Sequence, residues 1–78
     1  MREVFSTSLF EMYPNPATNQ LQIINKEKIS LIEVYNATGQ FQFSTNQSII
    51  DVSMLENGIY FLKAWSEKGS VSQKFIKQ

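Results

Sequence analysis

Short runs of alternating apolar and polar residues account for most of the chain, and Asn, Gly, Pro and Ser separate these runs. Alternation with a period of two is the pattern of a β-strand that has one buried face. No segment repeats its apolar residues at helical spacing over about ten positions, which argues against a helical bundle. The sequence therefore predicts about seven strands, at residues 9–12, 20–25, 29–35, 40–44, 48–52, 59–65 and 70–77.

The segments between these runs carry residues that are typical of turns. Pro14 and Pro16 end the first strand because they remove two backbone donors. Gly39, Gly58 and Gly69 each end a polar segment, where glycine is free to take a positive φ. These turn residues separate the predicted strands.

Two segments carry more specific expectations. Residues 29–35 are apolar on much of both faces, which predicts a central strand that is covered on both sides. Between the strands at 48–52 and 59–65, we expect one helical turn, capped by Ser53 and with Leu55 directed inward.

The predicted fold is all-β: an immunoglobulin-like antiparallel β-sandwich of about seven short strands in two sheets. Strands of this length with hairpin turns fit two packed sheets better than a closed barrel. A chain of 78 residues has room for one small domain. Its aromatic residues, 13% of the sequence, are spread along the chain as in a packed core. The chain has no Cys, so no disulfide contributes to its stability.

Charge and composition exclude several kinds of site. Seven basic and seven acidic residues balance, which argues against nucleic acid as a partner. The absence of His and Cys excludes Ser-His-Asp and Cys-His catalysis and the usual zinc sites. The glycines are too far apart for a phosphate-binding loop. We interpret the carboxylates as solvated surface groups, and we predict neither catalysis nor a metal or cofactor; the candidates considered are Glu11, Glu33, Asp51 and Glu56.

No apolar run approaches the roughly 18 residues of a transmembrane helix, and the first residues lack the apolar core of a signal peptide. An initial Met directly before a foldable domain favours a piece cut from a longer protein. A complete small protein would have the same sequence pattern.

Two surfaces are candidates for binding. Ile59, Phe61 and Trp65 share one face of a strand, where exposed aromatic rings could bind a sugar or a protein. Alternation of three apolar residues favours the other interpretation, in which this face belongs to the core. Lys74 and Lys77 are expected to place cations beside the free terminal carboxylate of Gln78, although edge strands also carry lysine to prevent aggregation.

Four blocks, taken in order, resemble one known family. They are residues 13–18 (YPNPAT), residues 32–40 (IEVYNATGQ), residues 50–60 (IDVSMLENGIY), and Gly69 followed by residues 74–77 (KFIK). Together they resemble the C-terminal sorting domain of cargo proteins of the type IX secretion system in Bacteroidetes. The resemblance extends over residues 9–78.

The resemblance implies a sorting signal that has no chemistry of its own. Its partners would be the type IX machinery and an upstream cargo domain, with residues 1–8 as a linker and residues 9–78 as the sorting domain. The cargo would pass through the periplasm and then reach the cell surface or the medium, where a sortase-like peptidase usually removes the domain.

The same resemblance assigns roles to individual residues. It implies recognition by the machinery through Gly69, Lys74 and Lys77, with the backbone of residues 71–76 as a platform to which a partner could add a strand. It implies fold-determining roles for Pro14, Asn15, Pro16, Gly39, Gly58 and Tyr60.

Two alternatives stay open at this point. One is a non-catalytic module that binds carbohydrate or protein through Trp65 and its neighbours. The other is a structural sandwich that stabilises or dimerises its parent protein. Open edge strands in a domain of this kind predict a monomer or a weak dimer.

Overall fold

A computed structural model describes residues 10–25 and 28–78. Seven strands account for most of this part of the chain: β1 (Phe10–Tyr13), β2 (Gln20–Asn25), β3 (Ile29–Asn36), β4 (Phe41–Thr45), β5 (Ile49–Asp51), β6 (Gly58–Ser66) and β7 (Gly69–Lys77). Their bounds agree with the predicted strands to within one residue, except that the predicted start at residue 9 and the predicted linker 1–8 lie outside the described residues.

The strands form two antiparallel sheets. The three-stranded sheet has the order β1-β2-β5, and the four-stranded sheet has the order β4-β3-β6-β7. This confirms the predicted all-β sandwich. β3 lies between two neighbours as predicted for a central strand, but its expected cover on both faces was wrong, since Leu31 on the outer face is 37% exposed. The described residues contain no helix long and apolar enough to span a membrane.

The core lies between the two sheets and takes its side chains from alternate positions of each strand. The three-stranded sheet contributes Leu21, Ile23 and Ile50. On the four-stranded sheet, the ring of Tyr60 stacks on that of Phe75, with centroids 5.6 Å apart and planes 20° apart. The buried apolar set is completed by Ala17, Ile32, Val34, Val52, Leu62 and Ala64.

The side chain of Asn36 holds the turn of the β3–β4 hairpin together. The Oδ1 atom of Asn36 accepts hydrogen bonds from the Thr38 N–H, the Thr38 hydroxyl and the Gln40 N–H, at 3.0, 2.8 and 2.9 Å. Gly39 has a φ of 87°, a value that residues with a Cβ adopt at a cost. The predicted positive φ at this glycine is confirmed.

The connection from β5 to β6 differs from the predicted capped helical turn. The Leu55 N–H donates to the Val52 carbonyl at 3.0 Å, which makes a single tight turn, and Leu55 packs against the core as expected. Ser53 does not cap this turn; its hydroxyl and its N–H both donate to Oδ1 of Asp51, at 2.6 and 2.9 Å. The Leu55 N–H, a donor that an N-cap at Ser53 would accept, is taken by the Val52 carbonyl.

The favoured prediction, that Ile59, Phe61 and Trp65 face the core, was wrong. Tyr60, Leu62 and Ala64 face the core, whereas Ile59, Phe61 and Trp65 lie on the outer face of the four-stranded sheet. Both faces of this strand are apolar, so its own alternation does not determine which face turns inward. The neighbouring strand β7 decides, because Phe75 pairs with Tyr60 on the buried side.

Candidate recognition surface

The segment between β1 and β2 crosses the domain and closes one edge of the other sheet. We call residues 13–17 the proline segment; both of its X-Pro peptide bonds, before Pro14 and Pro16, are cis. Ala17 is fully buried and forms a parallel bridge with Lys77. The Ala17 N–H donates to the Ile76 carbonyl at 2.7 Å, and its carbonyl accepts from the N–H of Gln78 at 2.8 Å.

Asn15 extends this edge contact with its side chain. Its Oδ1 accepts from the Ile76 N–H at 3.0 Å, and its Nδ2 lies 3.5 Å from the Lys74 carbonyl. The platform predicted at residues 71–76 is therefore occupied over its second half. Backbone N–H and C=O groups alternate in direction along an antiparallel strand. Before Lys74, the β7 residues whose backbone groups point to the open edge are therefore Ser70 and Ser72.

The remaining fold-determining candidates, Gly58 and Tyr60, lie at the start of β6, and the recognition candidate Gly69 lies just beyond its other end. Gly58 begins β6, and two residues later the Tyr60 hydroxyl donates to the Glu56 carbonyl at 2.7 Å. At the other end, Gly69 follows the β6–β7 turn with a φ of 117°. A Cβ at Gly69 would meet no atom within 4 Å, so the constraint there is the backbone conformation and not space.

The structure does not bring the three predicted recognition residues together. Lys74 is exposed on the outer face of β7, and Lys77 points inward with only 7% of its surface exposed. The Nζ atom of Lys77 donates to the main-chain oxygen of Gln78 at 3.3 Å. Gly69 lies at the opposite end of β7, roughly 17 Å along the strand from Lys74. Lys74 is therefore the one charged side chain of the three that a partner can reach directly.

Lys74 belongs to an exposed, largely apolar surface, which we call the outer patch. Tyr35 lies between Phe41 and Phe61 in register, Phe61 lies opposite Lys74, and Ile59 lies opposite Ile76. The exposed fractions are 55% for Phe41, 44% for Ile59, 39% for Phe61 and 37% for Ile76. The outer patch consists of Tyr35, Phe41, Ile59, Phe61, Lys74 and Ile76.

The sequence contained a signal for this surface, namely the apolar residues on both faces of β6. Alternation alone favoured the interpretation that the face with Ile59, Phe61 and Trp65 belongs to the core. The row across three strands becomes visible only with the register, which places Phe41 of β4 and Tyr35 of β3 beside Phe61.

Polar side chains surround Trp65 at the border of the outer patch. The indole Nε1–H donates to Oε1 of Glu33 at 2.7 Å, and Nζ of Lys63 lies 4.6 Å from the ring centroid. The pKa of Tyr35 is raised above its ordinary value of 10.0, first by desolvation and then by the charge of Glu33 and a hydrogen bond to it. Glu33 is thus engaged by groups of its own sheet.

The described residues offer little for catalysis. They contain no group of three or more potential metal ligands. Two open depressions have volumes of about 280 and 240 Å³. Lys28 is the one charged residue that lines the first, and Glu56 is the one charged residue that lines the second. Neither depression brings a pair of charged residues into one cleft, so the outer patch is the principal candidate surface.

Comparison with known protein families matches residues 11–78 to the family described as "Secretion system C-terminal sorting domain". The matched region includes all but the first residue of the seven strands. No curated protein and no solved structure matches the chain. With most of its length covered, the chain belongs to the secretion system C-terminal sorting domain family, whose members are the sorting signals of type IX secretion.

Proposed function

We propose that this sorting domain is recognised in folded form in the periplasm, accompanies its cargo across the outer membrane, and is then removed at the cell surface by a sortase-like peptidase. Export of an attached protein to the surface or the medium is the function of the family. The observation that carries the proposal is the family match over a sandwich whose core is built by the domain's own residues. A signal with its own core can fold in the same way behind different cargo.

We also propose that the domain is not catalytic and that it comprises residues 9–78, with residues 1–8 as the linker to the cargo. The family match from residue 11 supports this division. A carbohydrate- or protein-binding module appended to a secreted enzyme, the alternative from the sequence, is not favoured by the family assignment.

We propose that Lys74 contacts the secretion machinery directly. Its exposure on β7 supports this role. For Lys77 and Gly69 we propose indirect roles: Lys77 through its buried stem at the proline segment, and Gly69 through the turn that sets the start of β7. Removal of a buried side chain and removal of an exposed charge therefore have to be tested separately.

The test is an export assay in Bacteroidetes cells. Residues 1–78 are fused behind a fluorescent protein that carries a signal peptide, and the fusion is expressed with and without a working type IX system. We expect fluorescence on the surface or in the medium of competent cells and periplasmic retention in the secretion mutant. Periplasmic retention in competent cells would contradict the proposed function.

Three variants separate the roles of the lysines. Lys74→Ala removes an exposed charge, Lys77→Met keeps the buried stem without the charge, and Lys28→Ala is a control at an exposed lysine elsewhere. We expect Lys74→Ala to lower export, and Lys77→Met and Lys28→Ala to retain it. Export that is insensitive to Lys74→Ala would remove Lys74 from the recognition site and leave the sorting function intact.

A further inference from the structure

The outer patch has the composition of a protein-binding surface. Aromatic and aliphatic side chains form its middle, and the cation Lys74 stands at the side nearest the β7 edge. Interface centres are enriched in aromatic residues and depleted in charge, whereas their rims are polar. Contiguous exposed apolar surface is uncommon on soluble monomers unless it is used for binding. Its location on the outer face leaves it uncovered by the three-stranded sheet.

The geometry argues against a sugar as the occupant. The rings of Tyr35 and Phe41 meet edge to face, with planes 71° apart, so they do not make a flat platform. The nearest indole, that of Trp65, has the ammonium of Lys63 over its ring and its N–H engaged by Glu33. A sugar ring would have to displace these groups before it could stack.

The charges argue against a second copy of the same face. The charged residues on the outer face of the four-stranded sheet are Glu33, Lys63 and Lys74. Glu33 lies opposite Lys63 in register and accepts the Trp65 N–H. A second copy would therefore bring two more lysines and no unengaged carboxylate to Lys74, and like charges at a desolvated contact oppose binding.

We infer that the outer patch docks on a protein subunit of the secretion machinery that presents apolar side chains together with a carboxylate placed to meet Lys74. The inference rests on the proposed function and specifies its surface. The aromatic and aliphatic side chains supply the buried contact, and Lys74 fixes the orientation because its charge requires an acidic counterpart. Both parts are needed, since neither a bare apolar patch nor one exposed lysine selects one partner.

The experiment uses the same fluorescent fusion with two pairs of matched variants. Phe61→Thr with Ile76→Thr removes the middle of the outer patch, and Ile24→Thr with Ile49→Thr makes the same kind of change at exposed positions of the three-stranded sheet. Lys74→Glu reverses the charge, and Lys74→Arg preserves it. Thermal unfolding of each purified fusion shows whether the domain is still folded.

We expect the patch double variant and Lys74→Glu to lower the exported fraction about tenfold or more, as loss of a binding hot spot would. Lys74→Arg and the control double variant should remain within about twofold of the parent. If the patch double variant does not fold, the contrast between Lys74→Glu and Lys74→Arg decides.

Several outcomes would overturn the inference. One is normal export of a folded patch double variant, or equal loss in the control double variant; in either case the parent fusion still reports on the proposed function. Another is a dimer of the parent in sedimentation that the patch double variant converts to a monomer, since the patch would then bind a second copy. The third is retention on insoluble glycans that the patch double variant abolishes. Failure of the parent fusion itself to be exported would instead remove the proposed function.

Discussion

At the scale of single residues, Tyr60 performs two tasks that belong to different parts of its side chain. Its ring stacks on Phe75 in the core, and its hydroxyl donates to the Glu56 carbonyl before the start of β6. A tyrosine that bonds back to the chain a few residues upstream is a recurring feature of sandwich corners. The ring contributes to the hydrophobic core, and the hydroxyl holds the turn against the strand that follows.

Tyr60→Phe removes the hydrogen bond of the hydroxyl and keeps the stacking of the ring on Phe75. The partly buried carbonyl of Glu56 loses its donor, so we expect the free energy of unfolding to fall by about 1 kcal/mol. Urea denaturation measures this change. Tyr13→Phe, at an exposed tyrosine, is the control and should change the stability little. Equal effects of the two substitutions would show that the hydrogen bond of Tyr60 does not contribute.

Asp51 gives a prediction about acid. Two hydrogen bonds hold the pKa of Asp51 below its ordinary value of 3.8. The bond from the Ser53 hydroxyl has the larger effect, and the bond from the Ser53 N–H the smaller. A lowered folded pKa means that the stabilisation is present above the ordinary pKa and is lost as the pH falls through the folded value. Ser53→Ala should therefore raise the pKa of Asp51, as followed by NMR titration of its carboxyl group. An unchanged titration in this variant, with Ser70→Ala as control, would contradict the assignment.

The sequence predicted the turn residues better than the bonds they make. Asn36 and Ser53 were in segments interpreted as turns: Asn36 ends β3 directly before a turn, and Ser53 lies in the turn that follows β5. Asp51 was in a segment interpreted as a strand, and it is the last residue of β5. Which short polar side chain accepts and which donates depends on local φ and ψ, because several backbone partners lie within reach. The cap assigned to Ser53 was wrong for this reason.

At the scale of elements, the proline segment and β7 depend on each other. Asn15 and Ala17 satisfy backbone groups of β7 that would otherwise face an open edge. An open edge is the usual site of unwanted strand pairing. The segment was predicted from its prolines as a strand end, but its contact with β7 is long-range and leaves no local pattern.

Asn15→Ala should both weaken the domain and reopen this edge. Loss of the bond from the Ile76 N–H predicts a decrease of about 1 kcal/mol in the free energy of unfolding. We also expect more self-association, which analytical ultracentrifugation over a range of concentrations detects. Asn19→Ala is the matched control, since the Asn19 contact in this structure is made by its main-chain carbonyl. Identical behaviour of the two variants would show that Asn15 does not protect the edge.

At the scale of the whole molecule, one small core supports the entire fold. Proteins of 78 residues have about 4–12 kcal/mol of stability. A buried phenylalanine replaced by alanine typically costs about 3–5 kcal/mol, so a single core substitution removes a large share of the total.

Phe75→Ala and Phe41→Ala therefore form an informative pair. Phe75 is fully buried, and we expect its replacement to unfold much of the population at growth temperature and to abolish export. Phe41 is 55% exposed, so its replacement should leave the circular dichroism spectrum and melting curve nearly unchanged. Export that fails in the folded Phe41→Ala variant would reflect a lost contact, whereas a melting curve as damaged as that of Phe75→Ala would contradict the assignment of Phe41 to the surface.

The strands, their number and the sandwich followed from the sequence because each strand carries its own alternation. The pairing did not follow, since alternation says nothing about which neighbour a strand takes. The outer patch is a product of pairing: its members come from four different strands, β3, β4, β6 and β7. The sequence pointed to Lys74 through the family resemblance, and it offered Ile59 and Phe61 as one of two interpretations of β6. Tyr35, Phe41 and Ile76 join them only through strand pairing, which leaves no local pattern.

The bonds between the proline segment and β7 join residues about 60 positions apart, as between Asn15 and Ile76. A polypeptide truncated before Ile76 would leave Asn15 and Ala17 without these partners and would expose the core beside Phe75. Under the proposed function, cargo that carries such a truncated domain would lack the folded surface on which recognition depends, and we expect it to be retained.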